Sequence, residues 1–144
     1  MTKLTVVAAI AGAFVLGFLV RGVVPGEPVA LAQGKRVFEL RTYTAPDGKL
    51  GELHARFRNH TMRIFKKHGM ENIAYFAPQD APLSQNTMVY VIAHPSREAA
   101  KQNWAAFGKD PEWQKVAQET QVNGKIVAKV ESVFFDPTDY SPLK

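Results

Sequence analysis

Glu39 and Arg41 are two oppositely charged residues in a short segment that otherwise alternates like a β-strand, and they are the first candidates for chemistry in this chain. An arginine in a half-buried position is suited to hold an anionic group, because its guanidinium stays charged and presents a planar set of donors. A neighbouring carboxylate keeps such an arginine in place. The pair therefore predicts a site for a small anionic or aromatic ligand.

Three other side chains could exchange a proton with such a ligand. Tyr43 and Tyr75 carry phenols on predicted strands, and His94 ends another strand, where we expect the mouth of a cavity. Imidazole is the side chain that changes its charge most readily near neutral pH. These residues would supply proton transfer if the site is catalytic.

Lys129 and Glu131 repeat the charge alternation on the last predicted strand. We expect them to share one face of the sheet with Glu39 and Arg41. The four charges would then either line a ligand cavity or form only cross-strand ion pairs, and the sequence leaves both readings open. The candidate ligand-binding residues are Glu39, Arg41, Tyr43, Tyr75, His94, Lys129 and Glu131.

Metal and cofactor chemistry have little support in the sequence. His54 and His60 point about 240° apart around a helix, and His60 and His68 stand roughly 12 Å apart along it. The chain has no cysteine, which excludes thiolate ligands and thiol catalysis. It also has no glycine-rich phosphate loop and no nucleophile elbow. We therefore expect no metal and no cofactor.

The elements that would position these residues repeat a strand-turn-helix pattern. Residues 37–43 alternate with a period of two, and we assign Phe38, Leu40 and Thr42 to the core face. Glu39 and Arg41 then fall on the opposite face. Helical spacing follows from Leu50 to a glycine stop at Gly69. Further strands are predicted at residues 73–77, 87–93 and 126–135.

Two more helices lie between the third and fourth predicted strands. Ser96 is typical of a helix N-cap, and Asp110 before Pro111 is typical of another. The order is β-α-β-β-α-β, which predicts an α+β, ferredoxin-like fold: one four-stranded antiparallel sheet with helices on one face. The other face would expose costly apolar surface. We therefore expect a homodimer that closes an α/β barrel.

Seven short segments form recognisable motifs: residues 38–44 (FELRTYT), 48–50 (GKL), 65–70 (FKKHGM), 89–91 (VYV), 94–96 (HPS), 104–107 (WAAF) and 110–113 (DPEW). Together they resemble the NIPSNAP family. The resemblance runs from residue 38 to residue 135, through nearly the whole predicted domain. It implies a ferredoxin-like, dimeric α/β-barrel domain and little defined chemistry.

Residues 1–32 differ in composition from the rest and are predicted to be an export signal peptide or a membrane anchor, with the domain at residues 33–144. Lys3 precedes an apolar run of residues 4–20 that Arg21 closes. Ala30 and Ala32 give the small-x-small pattern of a cleavage site before Gln33. Cleaved or anchored, the domain would be extracytoplasmic, periplasmic or secreted. Contact with a membrane is expected only through an uncleaved leader.

Residues 33–144 carry a net charge of +4, because 16 Lys and Arg face 12 Asp and Glu, and the basic excess is concentrated between Arg56 and Lys67. A solvated basic helix face explains this cluster better than a nucleic-acid site, and no nucleic-acid partner is expected. The cluster consists of Arg56, Arg58, Arg63, Lys66 and Lys67.

Two hypotheses on function follow. The first is a dimeric binding or interaction module in which either the cavity of the dimer or the basic helix holds a small anionic or aromatic ligand. The second is a small enzyme similar to the cofactor-free monooxygenases or haem-handling proteins built on dimeric α/β barrels. In that enzyme Arg41 would hold the substrate, while Tyr43, Tyr75 or His94 would move a proton.

Overall fold

The protein is described here by a computed structural model in which residues 36–144 are placed. The predicted leader, residues 1–32, lies outside the described residues. Within the described part of the chain, no helix is long and apolar enough to cross a membrane.

Four strands form one antiparallel sheet. They are β1 (Val37–Thr44), β2 (Glu71–Phe76), β3 (Thr87–His94) and β4 (Lys129–Phe135). Their order across the sheet is β2-β3-β1-β4, and every neighbouring pair is antiparallel. With helices after β1 and β3, this confirms the predicted ferredoxin-like α+β fold. The last strand is shorter than predicted, since it begins at Lys129 and not at residue 126.

The first helical stretch contains a wider turn in its middle. It comprises α1 (Leu50–Arg56), a π-helical segment (Phe57–Thr61) and α2 (Met62–Lys67). The Thr61 hydroxyl donates to the carbonyl of Arg56 at 3.3 Å inside this segment. The stretch ends at Gly69, whose φ of +72° is the left-handed conformation expected of a glycine stop.

The remaining helices are α3 (Leu83–Asn86), α4 (Arg97–Lys109) and α5 (Pro111–Glu119). Ser96 caps α4, because its hydroxyl accepts from the amide of Ala99 at 3.0 Å. Asp110 caps α5 by accepting from the amide of Glu112 at 2.8 Å. Both predicted caps are confirmed.

An aromatic core fills the space between the sheet and the helices. Tyr90 of β3 is fully buried at its centre and stacks on Tyr75 with ring centroids 5.4 Å apart. Phe57 meets the edge of Tyr43 at 5.6 Å, and Phe65 meets the edge of Trp104 at 5.4 Å. These contacts fix which face of the sheet is the core face.

The predicted faces of β1 are wrong. Glu39, Arg41 and Tyr43 lie on the helix-covered face, since their partners on β3 are the buried residues Ile92, Tyr90 and Met88. The open face carries the alternate set, Phe38, Leu40 and Thr42. Every side chain of a strand changes face when the assignment shifts by one residue, so a single error inverted the whole strand. Glu39 was misassigned because it is buried in a set of polar contacts.

Candidate functional site

The carboxylate of Glu39 is the centre of a buried polar cluster between the sheet and α4. Its side chain is 1% exposed. Oε1 accepts from Nη1 of Arg41 at 2.8 Å and from the Ser132 hydroxyl at 2.6 Å. Oε2 accepts from the indole Nε1 of Trp104 at 2.7 Å and lies 3.0 Å from Nε2 of His94. Four elements of the fold therefore converge on one carboxylate.

These contacts keep Glu39 ionised. Burial alone would raise the pKa of its carboxyl group, because a charge is costly away from water. The hydrogen bonds from His94, Ser132 and Trp104, together with the charge of Arg41, outweigh burial and lower the pKa to about 2. Glu39 is therefore a fixed anion at neutral pH and unsuited to act as a proton donor.

Arg41 lies beside Glu39 and has hydrogen-bonding capacity to spare. Its guanidinium stacks on the Trp104 ring at 4.1 Å and lies 5.6 Å from the ring of Tyr43. Its Nε is buried and has no partner among the described residues. Burial would lower the pKa of Arg41, but the neighbouring tyrosines and Glu39 raise it above its ordinary value. A permanently charged donor group is thus held rigidly with one side unsatisfied.

The sequence predicted that His94 lies at the mouth of a cavity. This prediction is wrong, because the side chain of His94 is fully buried. Glu39 is ionised, so Nε2 of His94 carries the proton and donates to it. The other ring nitrogen, Nδ1, is buried without a hydrogen-bond partner. Glu39 and His94 therefore form a carboxylate-imidazole pair whose second nitrogen is free to accept a proton or a hydrogen bond.

The two predicted tyrosines lie on the same face as this cluster. The Tyr90 hydroxyl donates to the Tyr43 hydroxyl at 3.1 Å, and the Tyr75 hydroxyl donates to Oδ1 of Asn72 at 2.5 Å. Burial, with the neighbouring Tyr43, raises the pKa of Tyr75, and burial also raises that of Tyr90. Both phenols are therefore neutral hydrogen-bonding groups at physiological pH.

Lys129 and Glu131 do not join this cluster. They form an ion pair of 2.9 Å, and both side chains are exposed. Glu131 pairs with Thr42 across the sheet and therefore shares the open face. The predicted lattice of four charges does not exist, because Glu39 and Arg41 point to the opposite side.

Three residues of functional interest were missed at the level of sequence. Trp104 was not among the predicted site residues, yet its indole nitrogen donates to the Glu39 carboxylate. Ser132 is a small polar residue on β4, and its place opposite Arg41 follows only from the strand pairing, so no local signal reveals it. Arg56 was assigned to a solvated basic face, but it is 5% exposed. Its spacing of three from the buried Leu53 was the available clue.

The donor set around the cluster does not suit a metal. Among the described residues, no group of three or more His, Cys, Asp or Glu side chains could hold an ion.

The fold and the site together define a ferredoxin-like α+β domain with a buried, arginine-containing polar cluster under its helices. The sequence profile of the NIPSNAP family matches residues 38–142. The chain belongs to the NIPSNAP family, as its motifs predicted.

Solved structures share the fold. A NIPSNAP family protein of unknown function from Agrobacterium tumefaciens has a TM-score of 0.67 at 22% identity, covering 77% of this chain and 96% of its own. An uncharacterised NIPSNAP-like domain protein from Burkholderia xenovorans has a TM-score of 0.65 at 20% identity, and the match covers 76% of this chain and 90% of that protein. SnoaB, a cofactor-independent oxygenase from Streptomyces nogalater, has a TM-score of 0.51 at 13% identity, and the match covers 75% of this chain and 98% of that protein. No curated protein matches the chain.

Proposed function

We propose that this NIPSNAP domain is an exported, homodimeric module that binds a small anionic or aromatic ligand against Arg41. The observation that carries the proposal is the guanidinium of Arg41, which is held between Glu39 and the Trp104 ring while its buried Nε has no partner. A buried donor without an acceptor costs free energy, and a bound anion would relieve that cost.

The surroundings of Arg41 suit a planar ligand. Two aromatic rings lie close to its guanidinium, that of Trp104 at 4.1 Å and that of Tyr43 at 5.6 Å. Aromatic walls with a few fixed polar groups are typical of small-molecule sites. Glu39 already accepts four hydrogen bonds, so its role is to hold the neighbouring side chains in place. The anionic group of the ligand would bind to Arg41.

The experiment is native mass spectrometry of the full chain purified from its expressing cells. Wild type is compared with Arg41→Met, which keeps the length of the side chain and removes its charge, and with Arg58→Met as the control on an exposed face. The proposal predicts a non-covalent small-molecule adduct in wild type and control that Arg41→Met lacks. Equal loading of all three proteins, or none, would contradict it.

The homodimer is proposed from the open face of the sheet. Phe76, Val133 and Phe135 are 55%, 50% and 49% exposed there, while the helices cover only the other face. A second copy packed on this face would bury that surface.

Export is proposed from the predicted leader. Intact-mass measurement of the protein from the envelope fraction tests it, because cleavage would leave a new N-terminus at Gln33.

A second candidate function is proton abstraction by a small enzyme. The specific observation is the pair of Glu39 and His94, in which Nδ1 lacks a partner and could accept a proton while Glu39 stabilises the resulting imidazolium. One protein of this fold, SnoaB, is a cofactor-independent oxygenase, a likeness that concerns the fold alone. Because His94 is fully buried, α4 would have to move to admit a substrate. Ligand turnover that His94→Gln abolishes while binding persists would establish this function.

A further inference from the structure

Arg56 presents an unusual electrostatic situation away from the Glu39 cluster. Its side chain is 5% exposed, its Nε is buried without a hydrogen-bond partner, and no ion pair of the described residues includes it. Its guanidinium lies 5.2 Å from the centre of the Trp113 ring. Burial lowers the pKa of Arg56, and the electrostatic influence of Tyr43 and Tyr90 offsets this effect only in part. A buried arginine without a carboxylate is rare, because the uncompensated charge is costly.

A pocket of about 290 Å³ opens directly onto this arginine. It lies between the first helical stretch and the segment that follows α5. Asn59, Thr120 and Asn123 bring amide and hydroxyl groups to its wall, while Glu52 and Glu119 bring negative charge. The pocket thus combines one buried guanidinium with neutral polar groups, the imidazole of His60 and two acids that pair with Lys49 and Lys115.

We propose that this pocket is a second binding site, which takes a small molecule through a planar carboxylate group held by Arg56. The fork of a guanidinium matches the two oxygens of a carboxylate. Glu52 and Glu119 would repel a doubly charged phosphate more strongly than a singly charged carboxylate. The Trp113 ring, whose centre lies 5.2 Å from the guanidinium, packs against Arg56 and supports it. The volume admits a single-ring acid, so benzoate is the simplest probe.

The π-helical segment supports this assignment. It begins at Phe57, directly after Arg56, so the widened turn lies immediately beside the arginine. π-helical turns inside α-helices occur frequently at functional sites. Here the neighbouring residues Arg56 and Phe57 are both buried. The hydroxyl of Thr61 donates a hydrogen bond to the backbone carbonyl of Arg56. The local helix geometry therefore keeps a charged residue inside the protein.

Thermal unfolding of the full chain with increasing benzoate tests the proposal, with sodium chloride at equal ionic strength as the control. The variants are Arg56→Met, Val122→Trp and Arg41→Met. Val122 is 76% exposed at the pocket rim, so a tryptophan there obstructs the pocket without disturbing the core. We expect a saturable rise in Tm in wild type and Arg41→Met, and its loss in the two pocket variants.

A second readout separates binding from a merely structural role. Without ligand, Arg56→Met should raise Tm by about 4 °C, because it removes a buried unpaired charge. A structural arginine packed on Trp113 would instead lower Tm when replaced. The inference is overturned if wild type shows no rise with benzoate, or if the rise persists in Arg56→Met or Val122→Trp. A rise lost only in Arg41→Met would support the interior site proposed above and overturn this one.

Discussion

At the scale of single residues, Glu39 is the centre of the buried polar cluster. Its carboxylate is hydrogen-bonded by four side chains, those of Arg41, His94, Trp104 and Ser132. Its negative charge compensates the guanidinium of Arg41, which is itself largely buried. Removing one partner of such a pair leaves the other charge uncompensated, which is far more costly than losing an exposed ion pair. Stability and the proposed ligand binding therefore depend on the same side chain.

Replacing Glu39 with glutamine should destabilise the domain by roughly 3 to 5 kcal/mol, because the shape is kept and the charge is lost. Urea unfolding at pH 7 measures the change. The matched control is Glu131→Gln, whose carboxylate makes an exposed ion pair with Lys129. We expect the control to change the free energy of unfolding by less than about 0.5 kcal/mol. Equal effects of the two variants would show that the Glu39 contacts contribute nothing special.

The same residue predicts the response to acid. Its pKa is lowered from 4.5 to about 2 on folding, so its contribution is complete above pH 4.5 and is lost as pH falls towards 2. A shift of this size corresponds to about 3 kcal/mol. The difference in unfolding free energy between wild type and Glu39→Gln should be constant from pH 5 to pH 7 and shrink below that range. A difference that stays constant down to pH 2 would exclude the proposed linkage.

At the scale of elements, α4 is the structure that closes the cluster, because it carries Trp104 over Glu39 and Arg41. Its start is fixed by the Ser96 hydroxyl. Ser96→Ala should cost about 1 kcal/mol, as is usual for the loss of an N-cap. Ser84→Ala, in the short helix α3, is the control and should be neutral. Chemical denaturation of both variants gives the comparison, and a neutral Ser96→Ala would mean that this cap does not stabilise α4.

The sequence predicted the elements better than it predicted their faces. Turns, caps and the stop at Gly69 depend on local chemistry, and each was readable from a few neighbouring residues. The face of β1 depends on what the rest of the fold supplies. Phe38 and Leu40 look like core residues, and only the donors from Trp104, His94 and Ser132 make it favourable to bury Glu39. Those donors lie 55 to 93 positions away in sequence.

The same limit explains the candidate site. Arg41, Tyr43, Tyr75 and His94 were correctly placed in strands, but their grouping on the helix-covered face follows from the pairing of β1 with β3. Arg56 was missed because basic residues on a helix are usually solvated. Local pattern therefore identified most candidates, and long-range pairing decided which of them meet.

At the scale of the whole molecule, the open face should decide the oligomeric state. Val133→Lys places a charge among the exposed apolar side chains of the edge strand β4 and should weaken a dimer by roughly 100-fold or more. Val122→Lys is the control, because Val122 is equally apolar and lies on the segment after α5. Sedimentation equilibrium of wild type and both variants measures the effect. A wild type that is monomeric, or a Val133→Lys variant that dimerises like the control, would contradict the proposed interface.

The most direct test of the central claim is the NMR signal of the Nε–H group of Arg41, assigned by its loss in Arg41→Lys. We predict slow exchange with water, because this nitrogen is buried without a partner, and a saturable shift when the small molecule that co-purifies with the wild-type chain is added back to protein stripped of it. The exposed Arg58 should exchange fast and not shift. An Arg41 signal that exchanges as fast as that of Arg58, or that stays unmoved at saturating ligand, would contradict the account.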